Sequence, residues 1–523
     1  MTTNSPTRLA AERRDDALAA APIPAERSDG PGRPAGIGTG GSRPKDGGGP
    51  RDGRGRRAAH ATAERRDDAP TDPTPGLGAY PETTLFRFAT AGSVDDGKST
   101  LVGRLLHDAK AILADQLEQV TRTTAERGFA HGAVDFALLT DGLRAEREQG
   151  ITIDVAYRYF ATGARGFILA DCPGHVQYTR NMVTGAATAD AVVVLVDARK
   201  GVVEQTRRHL AVVSLLRVPH VLVAVNKIDL TGFDEDRFRT VEREVVALAA
   251  ELGLSRPHVL PVSALEGDNV AEPSDRTPWY GEDGVPGPTL LELLESLPTR
   301  SEADAEAGGA PFRLPVQTVI RPQGGLSPLL DDGPENAERY RDFRGFAGRV
   351  SSGSLTVGDR VQVFPGGHVT TVTEVLVAGS AAPGAREGQS VVVTLADEVD
   401  AARGALIAAH GSVPAGAREA EAEVFVLDDR PIRPGDRLLA KHGTTTVQAV
   451  VSEVRSQRDL DTLAATPAVA LGVNDIGRVR LQFAAALPVE PYRENREGGA
   501  LLLIHPVDGA TLAAATVVGS DPR

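Results

Sequence analysis

Gly92-Ser93-Val94-Asp95-Asp96-Gly97-Lys98-Ser99 has the spacing G-x-x-x-x-G-K-[ST], and its surroundings give that spacing meaning. Leu85-Phe-Arg-Phe-Ala-Thr-Ala91 before it reads as a strand, and Thr100-Leu-Val-Gly-Arg-Leu-Leu106 after it reads as an opening helix. Glycine lets a backbone pass close to phosphate oxygens or take a positive φ. The N–H groups of such a loop, with the helix N-terminus behind them, offer partial positive charge to a phosphate chain. Lys98 is expected to reach the β and γ phosphates and the Ser99 hydroxyl to hold Mg²⁺, with Thr100 completing the contacting run. A nucleoside triphosphate is therefore the expected ligand.

Strand-like and helix-like stretches alternate after this loop. Ile153–Phe160, Gly166–Ala170, Ala191–Val196, Val221–Val225 and Val259–Val262 read as strands, and Thr240–Leu252 carries a helical apolar face ending at Gly253. The continuous apolar runs suit strands buried on both faces of a largely parallel sheet, so an α/β fold is expected. Ligands in such folds gather beyond the carboxyl ends of the strands.

Three further motifs fall at such ends. Asp171-Cys172-Pro173-Gly174-His175 follows a strand; Asp171 suits Mg²⁺ binding, Gly174 an N–H to the γ-phosphate, and His175 the orientation of an attacking water. Cys172 is expected to fill a small buried site, since no paired base stands near it in sequence. In Asn226-Lys227-Ile228-Asp229 the Asp229 carboxylate can accept from guanine N1–H and N2–H₂, a pairing adenine cannot offer. Asn226 can bond the base edge and brace the phosphate loop, and the stem of Lys227 can cover the base. Ser263-Ala264-Leu265 can present the Ala264 N–H to guanine O6. Together these make GTP the expected nucleotide. Thr152 ends a charged insertion just before a strand, where a switch loop supplies a hydroxyl to Mg²⁺ and an N–H to the γ-phosphate.

Composition narrows the setting. A net charge of −14 over 523 residues argues against a broad nucleic-acid footprint, and one cysteine excludes an internal disulfide. No apolar run has membrane-helix length and no secretory leader is recognisable, so a cytoplasmic protein is expected. Residues 1–82, rich in Gly, Pro, Arg, Asp and Ala, read as a disordered tail. Beyond the linker Ser301–Ala310 the pattern changes to short alternating strands with Gly, Pro and Asp turns, among them Arg360–Phe364, Val369–Val377 and Gly477–Phe483. Gly358-Asp-Arg-Val361 and Gly435-Asp-Arg-Leu438 recur in similar surroundings, and Pro322–Arg339 reads as a loop insertion.

The ordered set of motifs resembles the translation-factor class of GTPases, the superfamily of elongation factor Tu. Within it, Ser93 and Asp96 stand where translation factors usually carry histidines. Those positions, with Asp141-Gly-Leu-Arg-Ala-Glu-Arg-Glu-Gln-Gly-Ile-Thr-Ile-Asp-Val-Ala-Tyr-Arg-Tyr-Phe160 and Asp342-Phe-Arg-Gly-Phe-Ala-Gly-Arg-Val350, are similar to the large GTP-binding subunits of bacterial sulfate adenylyltransferase. The resemblance implies two antiparallel β-barrels after the GTPase domain, organised as 83–305, 311–411 and 418–521. It implies a separate small catalytic subunit that makes adenosine 5′-phosphosulfate and pyrophosphate from ATP and sulfate, driven by GTP hydrolysis on this chain. It also implies that Val94 and Ile151 form an apolar gate beside the water that His175 orients. No adenylylsulfate kinase domain is expected, because no second phosphate loop follows. An elongation-factor-like role on RNA or ribosomes is the alternative, from which Ser93, Asp96 and the Asp154–Phe160 strand depart.

Overall fold

The computed structural model describes residues 85–112, 114–126, 136–139, 155–174, 179–282, 284–306, 309–322, 341–460 and 462–521. The expected tail, Ile151, Thr152, His175 and all of the Pro322–Arg339 insertion except Pro322 lie outside the described residues.

The chain enters through β1 (Leu85–Gly92), turns at the phosphate loop, and continues as α1 (Lys98–Asp108) and α2 (Ala114–Glu126). Then follow β2 (Ala156–Ala161), β3 (Gly166–Asp171), α3 (Thr179–Ala186), β4 (Ala191–Asp197), α4 (Glu204–Leu215), β5 (His220–Asn226), α5 (Glu235–Glu251) and β6 (His258–Pro261). The six strands form one sheet in the order β2-β3-β1-β4-β5-β6. All neighbours pair in parallel except β2, an antiparallel edge strand. Every residue of β4 is buried. Its side chains alternate between two cores, Val193 and Leu195 joining Leu101, Leu105 and Leu294, and Val192, Val194 and Val196 joining Met182, Leu210 and Val241. A period of two with both faces apolar requires helices on both sides of the sheet.

Two helices differ from the sequence expectation. α5 starts at Glu235, five residues before Thr240, because the Asp234 carboxylate accepts the Arg237 N–H at 3.0 Å and caps it. The stretch expected as a linker begins as a helix, α6 being Leu290–Ser296 and α7 Arg300–Glu306. Thr299 and Glu302 exchange a reciprocal capping pair, with Thr299 N donating to Glu302 Oε2 at 2.6 Å and Glu302 N to Thr299 Oγ1 at 3.2 Å.

Two β-barrels follow. In the first, Arg313–Pro315 and Thr318–Ile320 sit at opposite ends of the sheet path yet are consecutive in the chain, so the sheet closes on itself. Gln317 N donates to Ala347 O at 2.8 Å across that junction. The second closes as a ring of six strands, Arg437–His442, Ala500–Ile504, Thr511–Asp521, Ala417–Val426, Ile476–Leu487 and Thr445–Arg458. The recurring Gly-Asp-Arg turns have matching geometry in the two barrels. Gly358 and Gly435 both take positive φ, and Asp359 and Asp436 each accept a backbone N–H three residues upstream at 2.7 Å.

The second barrel shares a core with the GTPase sheet. Phe425 and Ile476, both sealed from solvent, join the cluster that holds Leu210, Val213 and Val241. Beside it Tyr492 donates its hydroxyl to Leu216 O at 3.0 Å, and Arg496 donates to Ala187 O at 2.9 Å, just past the end of α3. The barrels are tied to each other by the ion pair of Arg313 with Glu490 at 2.9 Å. Among the described residues no helix is long and apolar enough to cross a membrane.

Two tests follow from this packing. Phe425→Ala should cost about 3–5 kcal/mol by leaving a cavity at the shared core, read as a fall in the urea midpoint; an unchanged midpoint would show that the contact contributes nothing. His209 is fully buried in α4, and burial, with the like charges of Lys98 and Arg208, pushes its pKa down to about 3. Above about pH 6.5 both folded and unfolded imidazoles are neutral; below that the unfolded chain takes up the proton and the folded one does not. Stability is therefore expected to fall as pH drops from 6.5 towards 3, and His209→Gln should flatten the thermal-midpoint profile between pH 7 and 5.

Candidate functional site: a nucleotide cradle at the strand ends

The parallel register places Gly92, Asp171, Asp197, Asn226 and Pro261 at the same edge of the sheet. Gly92 takes φ +155° above Leu195, and an added Cβ would stand 3.0 Å from the Leu195 Cβ. Gly97, the N-cap of α1 at φ +92°, has no room for a side chain because the Asn226 amide occupies that space. Asp95 also takes a positive φ of 66° and is exposed, whereas Val94, Ser99 and Thr100 are half-buried. Asp96 is buried, and its carboxylate accepts the Ser93 N–H at 2.7 Å, closing the loop on itself. Burial raises the Asp96 pKa, partly offset by that bond and by Lys98.

Lys98 folds back over the loop, donating to Gly92 O at 2.8 Å and Ser93 O at 3.1 Å. Desolvation lowers its pKa, opposed by the nearby Asp171 and Asp96 carboxylates. Asp171 accepts from Thr90 Oγ1 at 2.8 Å and is almost fully buried. Cys172 and Pro173 are buried, and Gly174 lies so close to the loop that a Cβ would strike Lys98 Nζ and stand 2.6 Å from Gly92 O. Burial pushes the Cys172 thiol far above its usual range, and a Cβ on Gly185 would come within 2.5 Å of its sulfur. Cys172 is a packing residue.

The other side of the cradle is organised by Asn226. Its Nδ2 donates to Asp96 O at 2.7 Å and its Oδ1 accepts the Ala264 N–H at 2.9 Å. The Ala264 N–H, expected to face guanine O6, is thus engaged by Asn226 here. Lys227 takes φ +62° and donates to Asp95 O, so its aliphatic stem spans the space between the Asn226 motif and the phosphate loop. Asp229 sits half-buried on the 3-10 turn Ile228–Thr231, and among the described residues its carboxylate has no hydrogen-bond partner. Ser263 is buried and its hydroxyl accepts the Glu266 N–H at 3.2 Å, while Leu265 is exposed.

The structure thus brings together the described members of all four motifs. It adds residues that no motif announced. Asp197, fully buried at the end of β4, lies 3.2 Å from Lys227 Nζ and is held by Arg199 at 3.0 and 2.7 Å. Burial would raise its pKa, but those bonds prevail and hold it well below the usual carboxylate range. Its one sequence signal is a carboxylate directly after the run Ala191–Val196. Hard oxygens from Ser99 and Asp171 beside Lys98 fit a magnesium–phosphate ligand, and no group of three or more His, Cys, Asp or Glu offers a metal cage among the described residues.

Comparison with known proteins agrees with this geometry. The family described as elongation factor Tu GTP binding domain matches residues 83–300, and that described as GTP-eEF1A C-terminal domain-like matches residues 419–518. The chain is 48% identical over 428 residues to sulfate adenylyltransferase subunit 1 of Methylorubrum populi, covering 82% of this chain and 86% of that one. It is 42% identical over 447 residues to the protein of the same name from Laribacter hongkongensis, covering 85% and 88%. It is 45% identical over 438 residues to the bifunctional enzyme CysN/CysC of Mycobacterium tuberculosis, covering 83% of this chain and 67% of that one. With a GTP-binding domain at its front and this identity along most of its length, the chain belongs to the sulfate adenylyltransferase subunit 1 family of elongation-factor-Tu-type GTPases.

Proposed function

We propose that this chain is the GTPase subunit of a two-chain sulfate adenylyltransferase. A separate small subunit joins ATP and sulfate to give adenosine 5′-phosphosulfate and pyrophosphate, and GTP hydrolysis here drives that uphill step. The observation that carries the nucleotide assignment is the Asp229 carboxylate, half-buried and without a hydrogen-bond partner among the described residues, beside Asn226 and Lys227. A bound base would take this carboxylate out of water, where guanine's N1–H and N2–H₂ satisfy it and adenine leaves it unpaired.

In this reading Lys98 exchanges the Gly92 and Ser93 carbonyls for β and γ phosphate oxygens. The amides from Val94 to Thr100 line the phosphates, and Gly174 brings its N–H to the γ-phosphate through its close approach to the loop. Ser99, Thr152 and Asp171 would hold Mg²⁺, which would supply neutralisation of the phosphate charge. His175, assigned from its place after Asp171-Cys-Pro-Gly174, orients water for in-line attack, with Val94 and Ile151 limiting its approach. The Ser263–Leu265 loop reads O6. Energy reaches the partner through the second barrel, which shares a core and hydrogen bonds with the GTPase sheet and its helices.

Three measurements test this. Mixed with the small subunit, ATP and sulfate, the protein should raise phosphosulfate yield when GTP is added; no GTP effect in a demonstrated complex would sink the coupling. His175→Ala should keep GTP affinity and lose most turnover, and unchanged turnover would assign the water to another group. Asp229→Asn replaces an acceptor with a donor that matches the xanthine C2 carbonyl. It should shift preference from GTP towards XTP by about 100-fold or more, and retained GTP preference would remove Asp229 from base reading.

A further inference from the structure

Arg104 lies on α1, outside every motif, and reaches the guanine-reading loop. Its Nε donates to Ala264 O at 3.3 Å and its Nη2 to Leu265 O. Phe136, from the 3-10 turn Phe136–Leu139 in the long insertion, stacks on the guanidinium, with the ring centroid 4.4 Å from Cζ. That ring is buried, also packs at 4.9 Å from the His107 ring, and approaches α1 so closely that a Cβ on Gly103 would strike its backbone carbonyl. Asp108 lies 3.7 Å from the other side of the fork.

The peptide between Ala264 and Leu265 is planar, and in the trans form its C=O and N–H point in opposite directions. Holding Ala264 O from the α1 side therefore aims the Leu265 N–H away from α1. Among the described residues that N–H has no hydrogen-bond partner, while the preceding one is taken by Asn226 Oδ1. A planar five-donor fork that is stacked on one face suits this task, because little freedom remains to lose when its bonds form.

We infer that Arg104, clamped by Phe136, is a positioning residue for guanine recognition: it fixes the Ala264–Leu265 peptide so that its N–H reads O6. The inference rests on the GTP assignment above. It also means that the insertion between the phosphate loop and the switch threonine supports base reading through Phe136.

The test is equilibrium binding of GDP, ADP, inosine diphosphate and 6-thio-GDP to the full chain. Inosine removes only the 2-amino group that Asp229 reads, and 6-thioguanine alters only the atom that the loop reads. Arg104→Ala should lose about tenfold in GDP affinity, the worth of one such hydrogen bond. Its GDP to 6-thio-GDP preference should shrink while GDP to inosine preference stays at the parent level. Phe136→Ala should shrink the same ratio by less. Equal loss for GDP, inosine diphosphate and 6-thio-GDP, or no loss, would overturn the role. If Arg104→Ala does not fold, the same ratios are read on Arg104→Lys, which keeps the charge but cannot both stack and fork; an unchanged 6-thio ratio there also overturns it. A parent protein that binds ADP as tightly as GDP would instead refute the GTP assignment itself.

Discussion

The Asn226 carboxamide is the bond on which the cradle depends. It is almost fully buried, and both of its ends are used, one on Asp96 O of the phosphate loop and one on the Ala264 N–H of the base loop. Three loops that are far apart in sequence are thereby fixed to one planar group. Breaking it would leave buried backbone groups unsatisfied, at about 1–3 kcal/mol each. It also dictates local sequence, because the space that a side chain at position 97 would need is filled by that amide. A site held this firmly by the protein's own bonds loses little conformational freedom when a ligand arrives.

The sheet acts as the ruler beneath those loops. Parallel register sets five strand ends side by side, and the two apolar cores on either face keep the strands from slipping by one residue. Buried charge is then concentrated along one edge. Asp171 is held by Thr90, Asp96 by the Ser93 N–H, and Asp197 by Arg199 and Lys227. Each carboxylate has a hydrogen-bond partner inside the cradle, and at Asp197 those bonds outweigh the cost of burial.

Much of this could be read from the residues alone because phosphate loops and base-reading loops are short, contiguous and placed directly after apolar strands. The strands and the order of motifs were legible for that reason. The recurring Gly-Asp-Arg turns were visible as strings, and their matching hydrogen bonds emerge only in the folded chain. What the sequence hid is long-range. Arg104 looks like any surface arginine on a helix until its partners at Ala264, Leu265 and Phe136 are in view. Asp197 looks like an ordinary strand end. The starts of α5 and α7 were hidden for a different reason: each is set by a single cap, Asp234 and Thr299, outside the apolar periodicity that marks the helix body.

The shared core has a consequence for how such a chain can be recombined. Phe425 and Ile476, with Ala514 packed alongside, complete a cluster whose other members come from the GTPase sheet and its helices. A gene fragment carrying the first half alone would leave that face bare to water, and a fusion that replaced the last barrel would need a surface of the same shape. The chain is therefore not a string of interchangeable cassettes. Its GTPase domain and its second barrel, at opposite ends of the described fold, complete one another's core.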